Sequence, residues 1–243
     1  LCGYGMGMTA ENLAAKYKIS RENQDKFAVA SHLKAAEAAK KGYFKNEIVS
    51  FEIPAEGKAP AFVIDSDEVI REDTTVEKLA RLKPAFKKDG CVTAGNACAM
   101  SDGATAMIVT HKTKAKELGL NPMFSVKAFS SVAVDPELMG EGPSVAIPAA
   151  LKSVGMKVSD IDLFEINEAF AVQALMNIRA LEIPQEKLNI FGGAIALGHP
   201  TGISGARIIL TLYNALKITN KETGCAAICG AGGVAMAVVI KRI

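Results

Sequence analysis

Residues 192–207 read GGAIALGHPTGISGAR, and how this stretch is read decides what the rest of the chain must be. Five glycines, a proline and one of only three histidines precede an apolar helical run. Glycine and proline force a defined backbone path, and the small residues Gly202, Ser204, Gly205 and Ala206 let the next helix pack close to its neighbours. His199 sits at the turn, where packing alone does not explain it. A single histidine beside one glycine-rich loop is as readily structural as catalytic. Its company decides. Downstream, residues 228–233 (ICGAGG) form a second glycine-rich turn with the Cys229 thiol at its mouth, and upstream, residues 167–171 (NEAFA) end one apolar run and open another.

Working outward, the pattern from residue 123 onward alternates strand and helix. Strands are expected at 124–134, 162–166, 225–229 and 234–240, and helices at 147–154 (closed by Gly155), 169–181 and 203–216. Such alternation predicts a layered α/β core, in which chemistry collects on loops at strand ends. The loop 139–143, MGEGP, is one of these. Cys225 and Cys229 fall on one face of their strand by period 2. Position separates them: Cys229 abuts the glycine turn, whose free N–H groups can stabilise a thiolate, whereas Cys225 reads as a small core residue.

The front of the chain is more helical. Thr9 is read as the N-cap of a helix to Lys18, and Ser20 as the cap of an alanine-rich helix reaching Gly42. Residues 47–53 alternate as a half-buried strand with a partner at 61–64. In the charged stretch 65–88, Val76, Leu79 and Leu82 have helical spacing. That stretch reads either as a plain surface segment or as a place where Arg71, Lys83, Lys87 and Lys88 meet phosphates beside the flat apolar Phe86. Residues 92–102 form a tight loop in which Asn96 and Asp102 can bond backbone groups. A buried strand is expected at 103–110 and a short helix at 113–118. His32 is placed on a solvated helix face, and His111 reads as structural.

Composition sets the bounds. At 243 residues, 49% of them hydrophobic, the chain can bury one large core or two ordinary ones. No apolar run approaches the ~20 residues of a membrane span, and a net charge of +2 with mixed signs argues against a dedicated nucleic-acid surface. A cytoplasmic setting is therefore expected, with no membrane or nucleic-acid partner. The five cysteines show neither metal-ligand spacing nor a disulfide framework, so no metal is expected. The opening at Leu1, a glycine-punctuated loop running straight into a helix, reads as the middle of a protein.

The NEAFA, GGAIALGHPTGISGAR and CGAGG segments, with TAGNA, MGEGP and the opening MGMTAENLA, resemble the thiolase family in order and spacing, most closely its acetyl-CoA acetyltransferases (acetoacetyl-CoA thiolases). The resemblance covers essentially the whole chain and is closest to the family's C-terminal part. It implies a thiolase-like layered α/β fold of two similar halves with an inserted loop domain. Residues 1–90 then correspond to the CoA-binding loop domain, 91–122 to the end of the N-terminal half, and 123–243 to the complete C-terminal half, with the first half largely missing.

The activity so implied is the reversible Claisen condensation of two acetyl-CoA to acetoacetyl-CoA and CoA. No tightly bound cofactor is expected; coenzyme A thioesters are the substrates. His199 corresponds to the histidine that activates the acyl-accepting cysteine and points at the thioester oxygen, Asn167 to the asparagine holding a water beside it, and Cys229 to the proton-shuttling cysteine. The Ala231 N–H corresponds to an oxyanion-hole donor. Arg71, Phe86, Ala97, Cys98, Met139 and Phe170 carry over as contacts of CoA or its acyl end. The acyl-accepting cysteine itself would lie upstream of Leu1. Inactivity of this chain alone, the missing N-terminal half as a partner, and homo-oligomerisation at full length are the corresponding expectations. Departures from the family pattern are Cys98 for serine, Ala99 for glycine, Phe191 for asparagine, and a glycine turn thinned by Ala231 and Val234. A β-ketoacyl synthase would carry histidine or asparagine in place of Cys229, and a non-catalytic CoA-binding fragment is the alternative outside enzymes.

Overall fold

The computed structural model describes residues 2–243. Two helices, α1 (Met6–Tyr17) and α2 (Arg21–Lys40), open the chain. Ser20 caps α2 as expected, its side chain accepting from the Asn23 N–H at 3.2 Å. Thr9 does not cap α1. The helix begins one turn earlier, after Gly5, and the Thr9 hydroxyl instead donates to the Met6 carbonyl within the first turn.

Strands β1 (Phe51–Ile53) and β2 (Phe62–Ile64) pair antiparallel in a small two-stranded sheet. The strand expected over 47–53 is shorter and not half-buried: Phe51 and Val49 are exposed, and among the described residues none packs over this ribbon closely enough to bury them. Short helices α3 (Val76–Ala80) and α4 (Lys112–Glu117) follow, α4 capped by His111 Nδ1, which accepts from the Thr113 N–H. The strand expected over 103–110 does not form. That segment has no regular structure, and Ile108 and Val109 are 86% and 77% exposed. Backbone donors in a strand need a neighbour to bond, and among the described residues no strand lies beside it.

The second half holds the main sheet. Strand β3 (Phe124–Ala133) leads through a 3-10 turn to α5 (Gly142–Lys152), which starts earlier than expected because Pro143 suits a first helical turn. Then come β4 (Leu163–Ile166), α6 (Ala171–Leu181), the single-turn α7 (Ala194–Leu197), α8 (Ser204–Ile218), β5 (Thr223–Cys229) and β6 (Val234–Arg242). The strand order is β3-β6-β5-β4, with only β4 and β5 parallel.

Two cores lie on opposite faces. Phe164, Ile166, Cys225, Ala227 and Cys229 pack with residues of α1, α5 and α6, while Leu163, Ala226 and Ile240 pack against Leu212, Ala215 and Leu216 of α8 and Ala35 of α2. His32, expected on a solvated face, is buried instead. Its Nδ1 accepts from the Arg71 N–H at 3.2 Å, because the 65–75 segment lies over α2.

Candidate active site

Asn167 is the first residue past β4, and its N–H continues the parallel ladder by donating to Ala227 O at 3.0 Å. By period 2 it shares the α8 face with Glu165, while Phe164 and Ile166 point into the other core. The residue that meets it arrives from the glycine loop. Gly198 adopts φ +86, a region closed to most side chains, and a Cβ there would sit 2.4 Å from Ser101 Oγ. That reversal delivers His199, whose N–H donates to Ala99 O at 3.1 Å.

His199 Nε2 lies 3.5 Å from Asn167 Nδ2, and its Nδ1 lies 2.6 Å from Ser204 Oγ. The Ser204 hydroxyl donates to Pro200 O at 2.9 Å. With that hydrogen committed, Nδ1 carries the ring proton and Nε2 is the open acceptor towards Asn167. Burial lowers the His199 pKa from its ordinary value of 6.5, so the neutral ring is the form present at pH 7.

A buried carboxyl fixes the loop behind this pair. Glu168 accepts from Ser31 Oγ at 2.6 Å, Asn189 Nδ2 at 2.8 Å and the Ile195 N–H at 3.3 Å, while Ser31 Oγ accepts from the Gly193 N–H at 3.0 Å. The fit is close enough that a Cβ on Gly193 would lie 2.3 Å from the carboxyl carbon. Burial raises the Glu168 pKa.

Loop 92–101 closes over the same corner. Ala171 N–H donates to Asn96 O at 2.9 Å and Cys98 N–H to Ala169 O at 3.0 Å, and Ala97 bridges to Phe170. Acids from the first two helices hold the loop: Glu11 accepts from the Cys91 and Val92 N–H groups, and Asp25 Oδ1 accepts from Asn96 Nδ2 at 2.9 Å. Asn96 itself binds backbone as expected, its Oδ1 accepting from the Thr93 N–H at 2.8 Å. Asp102 is exposed, and among the described residues it makes no such bond.

Cys229 closes β5 at the same end of the parallel strands as Asn167 but on the alternate face, in one apolar cluster with Met139, Phe170 and Ala97. Asn167 thus meets His199, and Cys229 lies among the acyl-end residues beside Cys98. Burial pushes the Cys229 thiol up to about 12, with a smaller contribution from the neighbouring Cys98. Burial likewise pushes Cys98 to about 11 and Cys225 to about 12.

Burial thus favours the protonated Cys229 thiol beside the glycine turn. The turn's Gly230 and Gly233 N–H groups are spent on Val234 O and Gly230 O. Among the described residues the N–H groups of Ala231 and Gly232 make no backbone hydrogen bond and remain available.

Phe86 is 44% exposed, edge-on to Phe170 at 6.0 Å, and its ring lies where a Cβ on Gly7 would collide at 2.1 Å. Arg71 is exposed, two residues beyond Val69, which flanks the Gly198 turn. Sequence reasoning missed Ser204, Glu168, Ser31 and Glu165. Only Glu165, a charged residue inside the apolar run DLFEIN, carried a readable signal.

Fold and site together define a mixed-sheet layered α/β protein with a histidine, an asparagine and a thiol at the C-terminal end of the parallel strands β4 and β5. The family model described as "Thiolase, C-terminal domain" matches residues 120–242, and that described as "Thiolase, N-terminal domain" matches residues 2–113. The chain belongs to the thiolase family. It is 52% identical over 239 residues to a probable acetyl-CoA acyltransferase of Staphylococcus aureus, covering 98% of this chain and 60% of that protein. The crystal structure of Bacillus anthracis acetyl-CoA acetyltransferase superposes with a TM-score of 0.97 at 44% identity, over 100% of this chain and 61% of the other. Human mitochondrial 3-ketoacyl-CoA thiolase in complex with CoA gives 0.93 at 42% identity, over 98% and 59%.

The N-terminal-domain match over 2–113 corrects the expectations that only the C-terminal part is present and that the first half is largely missing. The chain carries sequence of both domains and spans about 60% of the length of the curated relatives it matches.

Proposed function

We propose that this chain belongs to an acyl-CoA acyltransferase of the thiolase type, acting on acetyl-CoA and acetoacetyl-CoA by reversible Claisen condensation. The observation that carries the reading is the 3.5 Å approach of Asn167 Nδ2 to His199 Nε2 at the C-terminal strand ends where Cys229 also lies. In this proposal His199 Nε2, held as an acceptor by Ser204, takes a thiol proton from an acyl acceptor and then donates to the thioester oxygen. Asn167 holds a water at the same oxygen, and the free Ala231 N–H serves a second oxyanion hole. Burial pushes the Cys229 thiol up to about 12, so its thiolate, when formed, is a base strong enough to take the α-proton of acetyl-CoA. The thiol so formed can then protonate a departing CoA thiolate.

Arg71, Phe86, Ala97, Cys98, Met139 and Phe170 are assigned to CoA and its acyl end. Phe86 and Phe170 offer a continuous apolar wall for pantetheine. The division into a CoA-binding loop domain (1–90), the end of the N-terminal half (91–122) and a C-terminal half (123–243) belongs to the same reading, as do a cytoplasmic setting, self-association and the absence of a tightly bound cofactor. Among the described residues no helix is long and apolar enough to cross a membrane, and no group of three or more His, Cys, Asp or Glu side chains is placed to hold a metal.

The test isolates enolisation, which needs no acyl acceptor. Acetyl-CoA is incubated with the chain in D2O and loss of the methyl proton signal is followed by NMR. Exchange above the buffer rate is expected, abolished by Cys229→Ser and strongly slowed by His199→Ala. Absence of exchange in the unaltered chain overturns the reading, and retained exchange in Cys229→Ser moves the base elsewhere. Acetoacetyl-CoA cleavage is measured alongside. Turnover there would show that an acyl acceptor is present in this chain, contrary to the inactivity expected from the sequence.

A further inference from the structure

Glu165 is a buried carboxyl with no part in the chemistry above. It stands on β4 two residues before Asn167, on the same face of the strand, and is 3% exposed. Among the described residues its carboxyl makes neither a hydrogen bond nor an ion pair. The nearest cation on α8, Arg207, is taken. Its guanidinium makes a two-pronged pair with Asp67, at 2.9 Å and 2.6 Å, and a further contact to Leu197 O. Lys34 of α2 is spent on Leu188 O at 2.9 Å. Glu47 is satisfied separately by Thr211 Oγ1 and Asn214 Nδ2.

Glu165 instead faces a cavity of about 20 Å3, lined also by Asn167, Gly198, Ser204, Arg207 and Thr211. Ser204, Arg207 and Thr211 fall at i, i+3 and i+7 on one side of α8, so the helix presents a polar stripe to this space. Leu197 and Ile208 supply apolar wall, and beside the polar side chains a space of this size accommodates one water with several partners, the usual way a buried polar group without a protein partner is satisfied.

We propose that Glu165 is a positioning residue for the His199–Asn167 pair, acting through a single water held in the cavity it shares with Asn167 and Ser204. As a neutral acid Glu165 both donates and accepts, so the water can be oriented towards the Asn167 amide and the Ser204 hydroxyl at once. Ser204 in turn fixes which ring nitrogen of His199 carries the proton. Charges reaching Glu165 from the packed elements are Lys34 (α2), Glu47, Glu168 and Arg207 (α8). Burial is the largest influence, followed by the two carboxyls, and all three favour the protonated form over the weaker pull of Lys34 and Arg207. The inference rests on the proposed roles of Asn167 and His199, but its decisive readouts do not require turnover.

The experiment compares the full chain with Glu165→Gln and Glu165→Leu. Infrared difference spectra at pH 7 should show the C=O stretch of a protonated carboxylic acid that disappears in Glu165→Gln. Imidazole 15N NMR should give His199 Nδ1 and Nε2 shifts in Glu165→Gln matching the unaltered chain, because an amide can still hold the water. In Glu165→Leu the protonation balance of the two nitrogens should shift. Where acetyl-CoA exchange is active, Glu165→Leu should slow it about tenfold or more, and Glu165→Gln should restore it. An unchanged His199 spectrum in a folded Glu165→Leu overturns the proposal, as does absence of the acid band in the unaltered chain, a readout that stands even if the leucine variant does not fold. Failure of exchange with both spectroscopic results intact counts against the functional reading and not against Glu165.

Discussion

A thiol raised from 9.0 to about 12 is nearly unreactive at neutral pH and, once ionised, a strong base. For Cys229 and Cys225 the thiolate fraction near pH 8 falls about a thousandfold below that of an unperturbed thiol. Iodoacetamide at pH 8 should therefore alkylate both much more slowly in the folded chain than in urea, as read by peptide mass spectrometry. Equal rates in the two states would show that burial does not protect these thiols. Ser204 acts at the same scale through the 2.6 Å contact with His199 Nδ1. Ser204→Ala should remove about 1 kcal/mol of stability and redistribute the ring proton of His199. The 15N shifts of the ring check the second effect independently of the first.

At the scale of elements, the site depends on close approach between segments far apart in sequence. Gly142 opens α5 against β6, where a Cβ would lie 2.3 Å from that of Ala235 and 3.5 Å from that of Cys229. Gly142→Val should push the helix off the sheet, cost about 2–3 kcal/mol and displace Cys229. Denaturant unfolding gives the first number. Glu168 ties Ser31 of α2 to the glycine loop across a sequence separation of 137. Removing it leaves three buried donors unpaired, so Glu168→Ala should cost about 3 kcal/mol, far more than the loss of any exposed carboxylate. A comparable Tm in that variant would mean that the loop is held by other contacts.

Over the whole molecule the buried carboxyls set the response to pH. Burial raises the pKa of Glu47, Glu165 and Glu168 above the ordinary 4.5. Between 4.5 and the raised values the folded chain binds more protons than the unfolded one, so their contribution is fully present at low pH and is lost as pH rises through that window. His32 and His199, both lowered by burial, act oppositely: stability is lost as pH falls from 6.5 through their folded values. The unaltered chain should therefore lose stability relative to Glu165→Gln as pH is raised from about 5 to 8, with the histidine contribution cancelling in the difference. A pH-independent difference in urea unfolding would place Glu165 outside the titrating set.

Much of the architecture was legible in the sequence because it rests on local rules. Alternation marked β3, β4, β5 and β6, Ser20 marked the start of α2, and the glycine and proline pattern marked the turn that presents His199. Only the tertiary structure decided how those pieces meet. It buried His32, left 103–110 without a partner strand, and set Asn167 and Cys229 on alternate faces at one end of the parallel strands. It also revealed the pinning of the histidine loop by Glu168 and Ser31, and it raised Cys229 to a neutral thiol. Periodicity reports which face a side chain takes along its own element. The proton affinity of a group, and the donor that satisfies it, depend on residues brought near it by folding, and no spacing along the chain encodes those.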